Sequence, residues 1–289
     1  MLEIESLKSW LGRSQVQQGD VPSVLATRLA ALLDRSATFR PGDALPMHWY
    51  PILFGETAPQ SSLAQDGHPR RGDFLPPVPL PRRMFAGKRV EFIAPLHIGE
   101  KVSKNSVIQA ITPKAGRSGP VCFVTVRHEI AGEAGLAVVE EQDIVYKQAS
   151  GAAASTTQIS GQAASAVAGQ SGKRSGSARI VTLDETMLFR YSAITFNAHR
   201  IHYDLEYARN QEHYPGLVVN GGLTLLLMWQ HAIDDGLVIA RSASRNRHPV
   251  FAGHPLTLQT EDREDTKAIV AKDADGNVAI EAVLTERHA

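Results

Sequence analysis

Apolar and polar positions repeat along this chain with two periods, and they divide it into two halves with a similar order of elements. In the first half, apolar residues at helical spacing predict an amphipathic helix after Asp20, a candidate N-cap. These residues are Val24, Leu25, Leu29, Leu32 and Leu33. A proline-rich passage over 46–81 follows, and apolar residues then alternate with polar ones. The alternation predicts strands at 88–95, 101–112, 120–130 and 137–146.

The second half contains a long apolar run, residues 223–233. Because a helix that is apolar on nearly all sides has to be enclosed, we expect a buried central helix here. Strand patterns lie at 179–181, 255–261, 266–274 and 278–284. One helix wrapped by antiparallel strands, occurring twice, predicts an α+β fold in which a sheet curls around a helix in each half.

A stretch of low complexity separates the halves. Residues 148–178 are almost entirely Ala, Ser, Gly, Gln and Thr, and they contain no aromatic side chain. Such a segment buries little surface and is typical of a flexible linker. We therefore expect an N-terminal domain over 1–147 and a C-terminal domain over 179–289.

Charge and cysteine content exclude several classes of protein. The 30 basic and 30 acidic residues balance, so there is no overall electrostatic reason to expect a nucleic-acid or membrane partner. The lone Cys122 cannot form an internal disulfide, which favours a reducing compartment. The N-terminus lacks the pattern of a secretory signal and no apolar span reaches 18 residues, so we expect a cytoplasmic protein.

Candidate chemistry is concentrated between Tyr191 and Tyr207. His202 is the first candidate for proton transfer, because an imidazole exchanges a proton near neutral pH. Asn197 can orient water or a carbonyl group through its amide, or it can form an Asx-turn. His199 can be a second acid/base or an exposed loop residue, and Arg200 can bind a substrate carboxylate or remain solvated.

A second candidate is the step Asn220-Gly221-Gly222, directly before the apolar run. The first N–H groups of a helix are unpaired, and glycine lets a ligand approach them closely. The backbone of Gly221 and Gly222 can therefore stabilise an oxyanion. The alternative is a tight turn into the helix.

Arginines in the first half offer a further binding group. Arg82 and Arg83 follow a proline-rich run and can receive the phosphates of coenzyme A, or they can be ordinary surface charge. Motifs for nucleotide phosphates, serine hydrolases and EF-hands are absent from the sequence, and we expect no metal site.

Segment 197–202 resembles the hydratase-2 motif of the MaoC-like (R)-specific enoyl-CoA hydratases. That motif reads Asp-x-Asn-Pro-aliphatic-His and is followed by a His-Gly step into the central helix of a hot-dog fold. In this chain His202 and Gly221 match it outright. The departures are Asn197 in place of Asp, His199 in place of Asn, Arg200 in place of Pro and Asn220 in place of the second His.

A broader resemblance covers nearly the whole chain. The segments GHPRRGDFLPPVPLPRRMFAG, GRSGPVCFVTVRHE, EEQDIVYK and RYSAITFNAHRIHYD are similar to a subgroup of double-hot-dog dehydratases that includes the mesaconyl-C4-CoA and itaconyl-CoA hydratases. The resemblance implies an α+β double hot-dog, with two antiparallel sheets each wrapping a helix. It also implies that the N-terminal half is structural and shapes the acyl-CoA tunnel, while the C-terminal half carries catalysis.

The activity implied is that of a hydro-lyase adding water reversibly to an enoyl-CoA, in particular itaconyl-CoA or mesaconyl-C4-CoA to give citramalyl-CoA. His202 would be the acid/base, Asn197 would position water, and the Gly221 amide would stabilise the thioester enolate. His199 would take part of the role of the missing aspartate. Arg200 would bind a distal carboxylate, a role for which an arginine of the first-half cluster competes. The thioester is the substrate, no other cofactor is expected, and association into a homo-oligomer is left open. A thioesterase and a non-catalytic acyl-CoA binding protein remain as alternatives.

Overall fold

The computed structural model describes residues 4–116, 119–148, 175–263 and 266–287. Within these ranges the strands, in chain order, are β1 (Ser14–Asp20), β2 (Ala44–Leu45), β3 (Arg82–Phe92), β4 (Leu96–His97), β5 (Lys101–Gly116), β6 (Gly119–Gly132), β7 (Gly135–Lys147), β8 (Ser175–Thr182), β9 (Ile239–Asn246), β10 (Pro255–Asp262), β11 (Lys267–Lys272) and β12 (Val278–Glu286). The α-helices are α1 (Ile4–Lys8), α2 (Ser23–Leu32), α3 (Glu185–Thr195), α4 (Leu205–Asn210) and α5 (Gly221–Asp234). Short 3-10 helices span Met47–Ile52, Gln60–Ser62 and Arg200–His202.

The strands of the two halves join in a single antiparallel sheet. Its order is β1-β5-β6-β7-β3-β9-β12-β11-β10-β8, while β2 and β4 pair separately. The junction is the pairing of β3 with β9, in which Val90 lies opposite Ser242. The two antiparallel sheets expected from the sequence are therefore joined edge to edge. Each half would otherwise expose an unpaired strand edge, and the junction satisfies those backbone groups.

Helix α5 lies in the core, as its sequence predicts. Every residue from Leu223 to Ala232 is buried. Helix α2 packs on the same core through Ala26 and Leu29, but Val24 remains half exposed. Burying one large aliphatic side chain contributes about 1.5–3 kcal/mol, so α5 is a major source of stability.

Two local predictions were wrong. Asp20 is not the N-cap of α2, because it ends β1 opposite Lys101, and Pro22 precedes the helix instead. The predicted linker 148–178 also ends too late, since β8 begins at Ser175 and pairs with β10. Strand β8 lies at the edge of the described sheet and pairs on one side only. Its first residues are small and polar, so no alternation of apolar residues predicts where it begins. Residues 149–174 of that predicted linker lie outside the described residues.

Among the described helices, none is long and apolar enough to cross a membrane.

Candidate active site

The loop that carries the predicted motif begins where α3 ends. Asp184 caps the start of α3 by accepting a hydrogen bond from the Met187 amide at 2.8 Å. At the other end Phe196 adopts a left-handed conformation with φ of 52°, which turns the chain out of the helix. Asn197 Oδ1 then accepts a hydrogen bond from the His199 amide at 3.0 Å. Asn197 thus forms the Asx-turn that the sequence left open, and this turn leads into the 3-10 helix that ends at His202.

The imidazole of His202 is buried and held by one backbone carbonyl. Its Nδ1 lies 2.7 Å from the Val218 carbonyl oxygen. Because a carbonyl only accepts hydrogen bonds, Nδ1 carries the proton and Nε2 keeps a free lone pair. Burial lowers the pKa of His202 to about 4, although the bond to Val218 acts in the opposite direction. His202 is therefore neutral at pH 7 and suited to accept a proton.

His199 lies between two other imidazoles. Its ring centroid is 5.3 Å from that of His202 and 4.4 Å from that of His68. Burial, and then the charges of His68, His202 and Arg83, hold the pKa of His199 far below its ordinary value. His199 can form hydrogen bonds, but it does not hold a proton charge near pH 7. The ring contacts agree with the predicted place of His199 in the site. The lowered pKa does not agree with a role as a charged acid.

The structure also brings a loop of the N-terminal half onto the motif. The Asp66 carbonyl accepts a hydrogen bond from the Arg200 amide at 2.9 Å. His68, two residues later, has Nδ1 3.5 Å from Glu56 Oε2. The N-terminal half, expected from the sequence to be structural and to shape the acyl-CoA tunnel, thus also contributes side chains beside the motif. The segment GHPRRG is similar to the double-hot-dog dehydratases, but nothing local in it indicates contact with residues about 130 positions away.

The head of α5 lies against two further side chains that the sequence analysis missed. A Cβ atom on Gly222 would be 2.8 Å from the Tyr191 hydroxyl, and one on Gly221 would be 2.8 Å from Asn246 Nδ2. Burial raises the pKa of Tyr191, so its hydroxyl stays protonated and can donate a hydrogen bond. Both glycines therefore let these side chains approach the backbone closely. The polar groups at the N-terminus of α5 then include the Tyr191 hydroxyl and the Asn246 amide as well as backbone amides.

Asn220 precedes these glycines and is almost fully buried. Its Nδ2 lies 3.5 Å from the Ser192 hydroxyl oxygen, while its Oδ1 has no hydrogen-bond partner among the described residues. Asn220 is also two residues after Val218, the residue that holds His202. The ring of His202 is therefore anchored to the segment that leads into the glycine turn, as the sequence hypothesis requires.

Two of the three predicted binding arginines have partners in the fold. Arg200 donates to Asp204 Oδ2 through Nη2 at 2.6 Å and Nε at 3.0 Å. Arg82 pairs with Glu212 at 2.8 Å, which ties β3 to a loop of the C-terminal half. The expectation that these two arginines bind substrate does not fit these geometries, because both guanidinium groups are engaged by carboxylates.

Arg83 differs from the other two arginines. Its Nη2 is buried and makes no hydrogen bond with any residue the structure describes. Its positive charge lowers the pKa of both His199 and Glu56, which places the group beside the imidazoles. Burial raises the pKa of the Tyr146 hydroxyl, while the charge of Arg83 and a hydrogen-bonding interaction with it act in the opposite direction, although the two groups miss strict hydrogen-bond geometry. Arg83 is thus a partly buried cation whose Nη2 is enclosed next to the candidate site.

The same region contains a group that can hold a metal ion. Ligand atoms of Asp66, His68 and His199 lie within 4.8 Å of one another. No metal site was expected from the sequence, because no carboxylate lies at ligand spacing near the motif histidines along the chain. Asp66 reaches them only through the fold. Arg83 places a positive charge close by, which disfavours a second cation there.

Solved structures define the class of this fold. A MaoC-like dehydratase superposes with a TM-score of 0.70 over 98% of this chain and 100% of its own, at 16% identity. A conserved hypothetical protein from Mycobacterium tuberculosis, described as a double hot-dog, gives 0.55 over 95% of this chain and 96% of its own, at 12% identity. The predicted α+β double hot-dog is therefore confirmed, and the chain has the fold of the MaoC-like dehydratases.

The family follows from the sequence comparisons. Residues 48–252 match the model of hydroxyacyl-thioester dehydratase type 2. A mesaconyl-C(4)-CoA hydratase from Chloroflexus aurantiacus is 39% identical over 278 residues, which cover 96% of each chain. This chain belongs to the hydroxyacyl-thioester dehydratase type 2 family, and the hydro-lyase class predicted from the sequence is confirmed.

Proposed function

We propose that this protein adds water reversibly across the double bond of a C5 dicarboxylic enoyl-CoA, such as mesaconyl-C4-CoA or itaconyl-CoA. The observation that supports this most strongly is the neutral His202, held by Val218 just before the glycine turn of α5. A proton acceptor and a set of oxyanion donors then lie within one segment of chain. The 39% identity to a protein named for mesaconyl-C4-CoA supports the substrate class.

The reaction begins at C3 of the enoyl thioester. Nε2 of His202 accepts a proton from water, and the water oxygen forms a bond to C3. The π electrons of the double bond move towards the thioester carbonyl, whose oxygen becomes an enolate oxyanion. Amides at the head of α5, together with the Tyr191 hydroxyl, can donate hydrogen bonds to that oxygen. A proton then has to be delivered to C2, which completes the 3-hydroxyacyl thioester.

Arg83 is our candidate for binding the distal carboxylate of the substrate. Its Nη2 is buried and has no hydrogen-bond partner among the described residues, so an anionic ligand would satisfy it. Arg200, the receptor expected from the sequence, already has Asp204 as a partner. A charge-assisted hydrogen bond contributes about 1.5–3 kcal/mol. Its loss corresponds to roughly 10- to 150-fold in kcat/KM.

The base is tested with His202→Ala, assayed by loss of the enoyl thioester absorbance on mesaconyl-C4-CoA and crotonyl-CoA. We expect kcat to fall by about 100- to 10,000-fold on both substrates. The control is His97→Ala, which removes a histidine from β4 in the separate two-stranded sheet. If His202→Ala keeps a kcat near that of the wild type, the assignment of the base is wrong.

The carboxylate receptor is tested by comparing Arg83→Gln with Arg200→Gln. We expect Arg83→Gln to lower kcat/KM for mesaconyl-C4-CoA about tenfold or more relative to crotonyl-CoA, which has no distal carboxylate. Arg200→Gln should affect both substrates equally, since it loosens the motif loop. An equal loss on both substrates in Arg83→Gln would rule out this role.

The same samples test the alternatives from the sequence. Release of free coenzyme A thiol without formation of a hydroxyacyl product would indicate a thioesterase. Tight binding of enoyl-CoA without any turnover would indicate a binding protein.

A further inference from the structure

We propose that His68, oriented by Glu56, is a second acid/base of this site and delivers the proton to C2. This inference rests on the proposed hydratase function and deepens it. It assigns a catalytic residue to the half of the chain that the sequence analysis regarded as structural. The observation that carries it is the contact between the loop of His68 and the motif loop.

The need for such a group follows from the state of the motif residues. Hydration requires one group that accepts a proton from water and one that supplies a proton to C2. His202 is neutral near pH 7 and fits the first role. His199 is held neutral as well, and the amide of Asn197 cannot exchange a proton at this pH. None of the three motif side chains therefore supplies the second role.

His68 lies where that second group is required. Its ring centroid is 4.4 Å from that of His199, and His199 lies directly beside His202. The side chain of His68 is 18% exposed, so it can face a substrate and still exchange protons with solvent. The neutral ring of His199 thus separates two imidazoles across one site.

Glu56 gives His68 an orientation and a counter-charge. Its Oε2 lies 3.5 Å from Nδ1 of His68, so Nε2 is the ring nitrogen that Glu56 does not engage. Burial alone would raise the pKa of Glu56, but the hydrogen bond and charge of His68 lower it, so Glu56 remains a carboxylate. Arg83 and Lys104 also act on Glu56 with their charges, and Asp66 Oδ1 accepts the His68 amide at 3.0 Å. The side chain of Glu56 is 55% exposed and the contact lies at the outer limit of a hydrogen bond, so Glu56 biases the orientation of the His68 ring.

Two glycines hold this loop against the motif. Gly67 has a φ of 89°, and a Cβ atom there would lie 1.9 Å from the Ala198 carbonyl oxygen. A Cβ atom on Gly55 would lie 2.8 Å from Cβ of Phe196. Each glycine is directly followed by a residue of the pair: Glu56 follows Gly55, and His68 follows Gly67. The backbone is therefore built for close contact at the two points that position Glu56 and His68.

A metal ion bound by Asp66, His68 and His199 is the competing use of the same residues. Three observations favour proton transfer. Nδ1 of His68 faces Glu56, Asp66 Oδ1 already accepts the His68 amide, and the charge of Arg83 acts on His199. The first two contacts already orient His68, and a cation would be repelled by the charge in the third.

The complete step is balanced in protons and electrons. The water oxygen bonds to C3 while its proton moves to Nε2 of His202, and the π electrons form the thioester enolate. Nε2–H of His68 then gives its proton to C2, and the enolate electrons form that C–H bond. His202 ends with one proton more and His68 with one fewer, and both recover their starting states by exchange with solvent.

The test compares His68→Ala and His68→Gln with His202→Ala and the control His97→Ala, all on the full chain. We expect both His68 variants to lose about 100- to 10,000-fold in kcat, with KM changed by about threefold or less. Free imidazole should restore part of the activity of His68→Ala, a rescue that a purely structural histidine would not show. Circular dichroism of each variant shows whether it is folded, and His68→Gln, which retains a polar side chain, is the variant expected to disturb the fold less.

Glu56 acts through His68, so its test needs a different readout. In Glu56→Gln kcat should fall while KM stays within about threefold, because His68 loses the group that orients it. Glu56→Asp should restore part of the wild-type kcat. An unchanged kcat in Glu56→Gln contradicts the positioning role of Glu56.

The two levels of the proposal fail in different ways. If the wild type hydrates no enoyl-CoA, the proposed function itself is wrong. If the wild type is active, His202→Ala is inactive and folded His68→Ala has near wild-type kcat, only the role of His68 is overturned. It is also overturned if a chelator abolishes wild-type activity and added Zn²⁺ restores it, because the residues then hold a metal.

Discussion

The contact between Gly222 and Tyr191 offers a sharp test of how the head of α5 is built. A Cβ atom on Gly222 would lie 2.8 Å from the Tyr191 hydroxyl oxygen, but 3.8 Å from the ring carbon that carries it. The first distance requires a shift of buried atoms, whereas the second is an ordinary contact. The hydroxyl alone therefore makes alanine unacceptable at this position.

The expected magnitude follows from two opposing effects. Alanine is more favourable than glycine inside a helix by about 1 kcal/mol. Overpacking a buried site costs about 1–3 kcal/mol, and Tyr191 is only 5% exposed. We expect Gly222→Ala to lower the free energy of unfolding by about 1 kcal/mol in the wild type. In a Tyr191→Phe background the hydroxyl is gone, so the same change should raise it by up to about 1 kcal/mol.

The assay is urea unfolding of the four proteins of this double-mutant cycle, followed by circular dichroism at neutral pH. Gly216→Ala is the control, because its Cβ atom would meet nothing within 4 Å and its φ is not positive. A change of the same sign in both backgrounds would refute the packing argument. It would show that the Tyr191 hydroxyl does not lie against the first turn of α5.

Three further predictions concern stability. Burial lowers the pKa of both His48 and His202 to about 4, so the unfolded chain binds more protons than the folded one between pH 6.5 and 4. The free energy of unfolding should therefore fall by roughly 3 kcal/mol per residue as the pH is lowered over that range. Urea titrations at several pH values measure this, and a free energy of unfolding that does not change with pH contradicts it. Lys88→Met should cost about 3–5 kcal/mol because it leaves the buried Glu140, 3.0 Å away, without its cation and with only the Tyr50 hydroxyl as a hydrogen-bond donor. Adding Glu140→Leu should recover part of that loss in the same assay. Asp184→Ala should lower the thermal midpoint through a loss of about 1 kcal/mol at the start of α3, and Asp184→Asn, which can still cap the helix, should show little change.

Several elements could be predicted from the sequence because their signal is local. The apolar run at 223–233 predicts an enclosed helix, and α5 is enclosed at every residue from Leu223 to Ala232. The alternating segments at 101–112 and 120–130 lie within β5 and β6. Strand β9 was missed because its sequence, IARSASRN, alternates poorly, and only its pairing with β3 and β12 makes it a strand.

The candidate site divides in the same way. His202 and the glycine turn could be recognised because each lies in a short motif with a clear chemical use. His68 and Glu56 could not, since neither residue type nor spacing indicates a partner so far along the chain. The role of Arg83 also depended on the fold, because only the structure shows that Arg82 and Arg200 are paired with carboxylates and that one nitrogen of Arg83 is not.

The amino-acid sequence by itself determined the class of the fold and the buried helix, and it singled out His202 as the candidate base, because periodicity and short motifs act over a few residues. Only the tertiary structure decided that the sheet is continuous across β3 and β9, and that the loop of His68 closes on the motif loop. These features arise from backbone pairing and from glycines that permit close approach. Neither produces a periodic pattern in the sequence. Both can therefore be recognised only when distant segments are seen packed together in the structure.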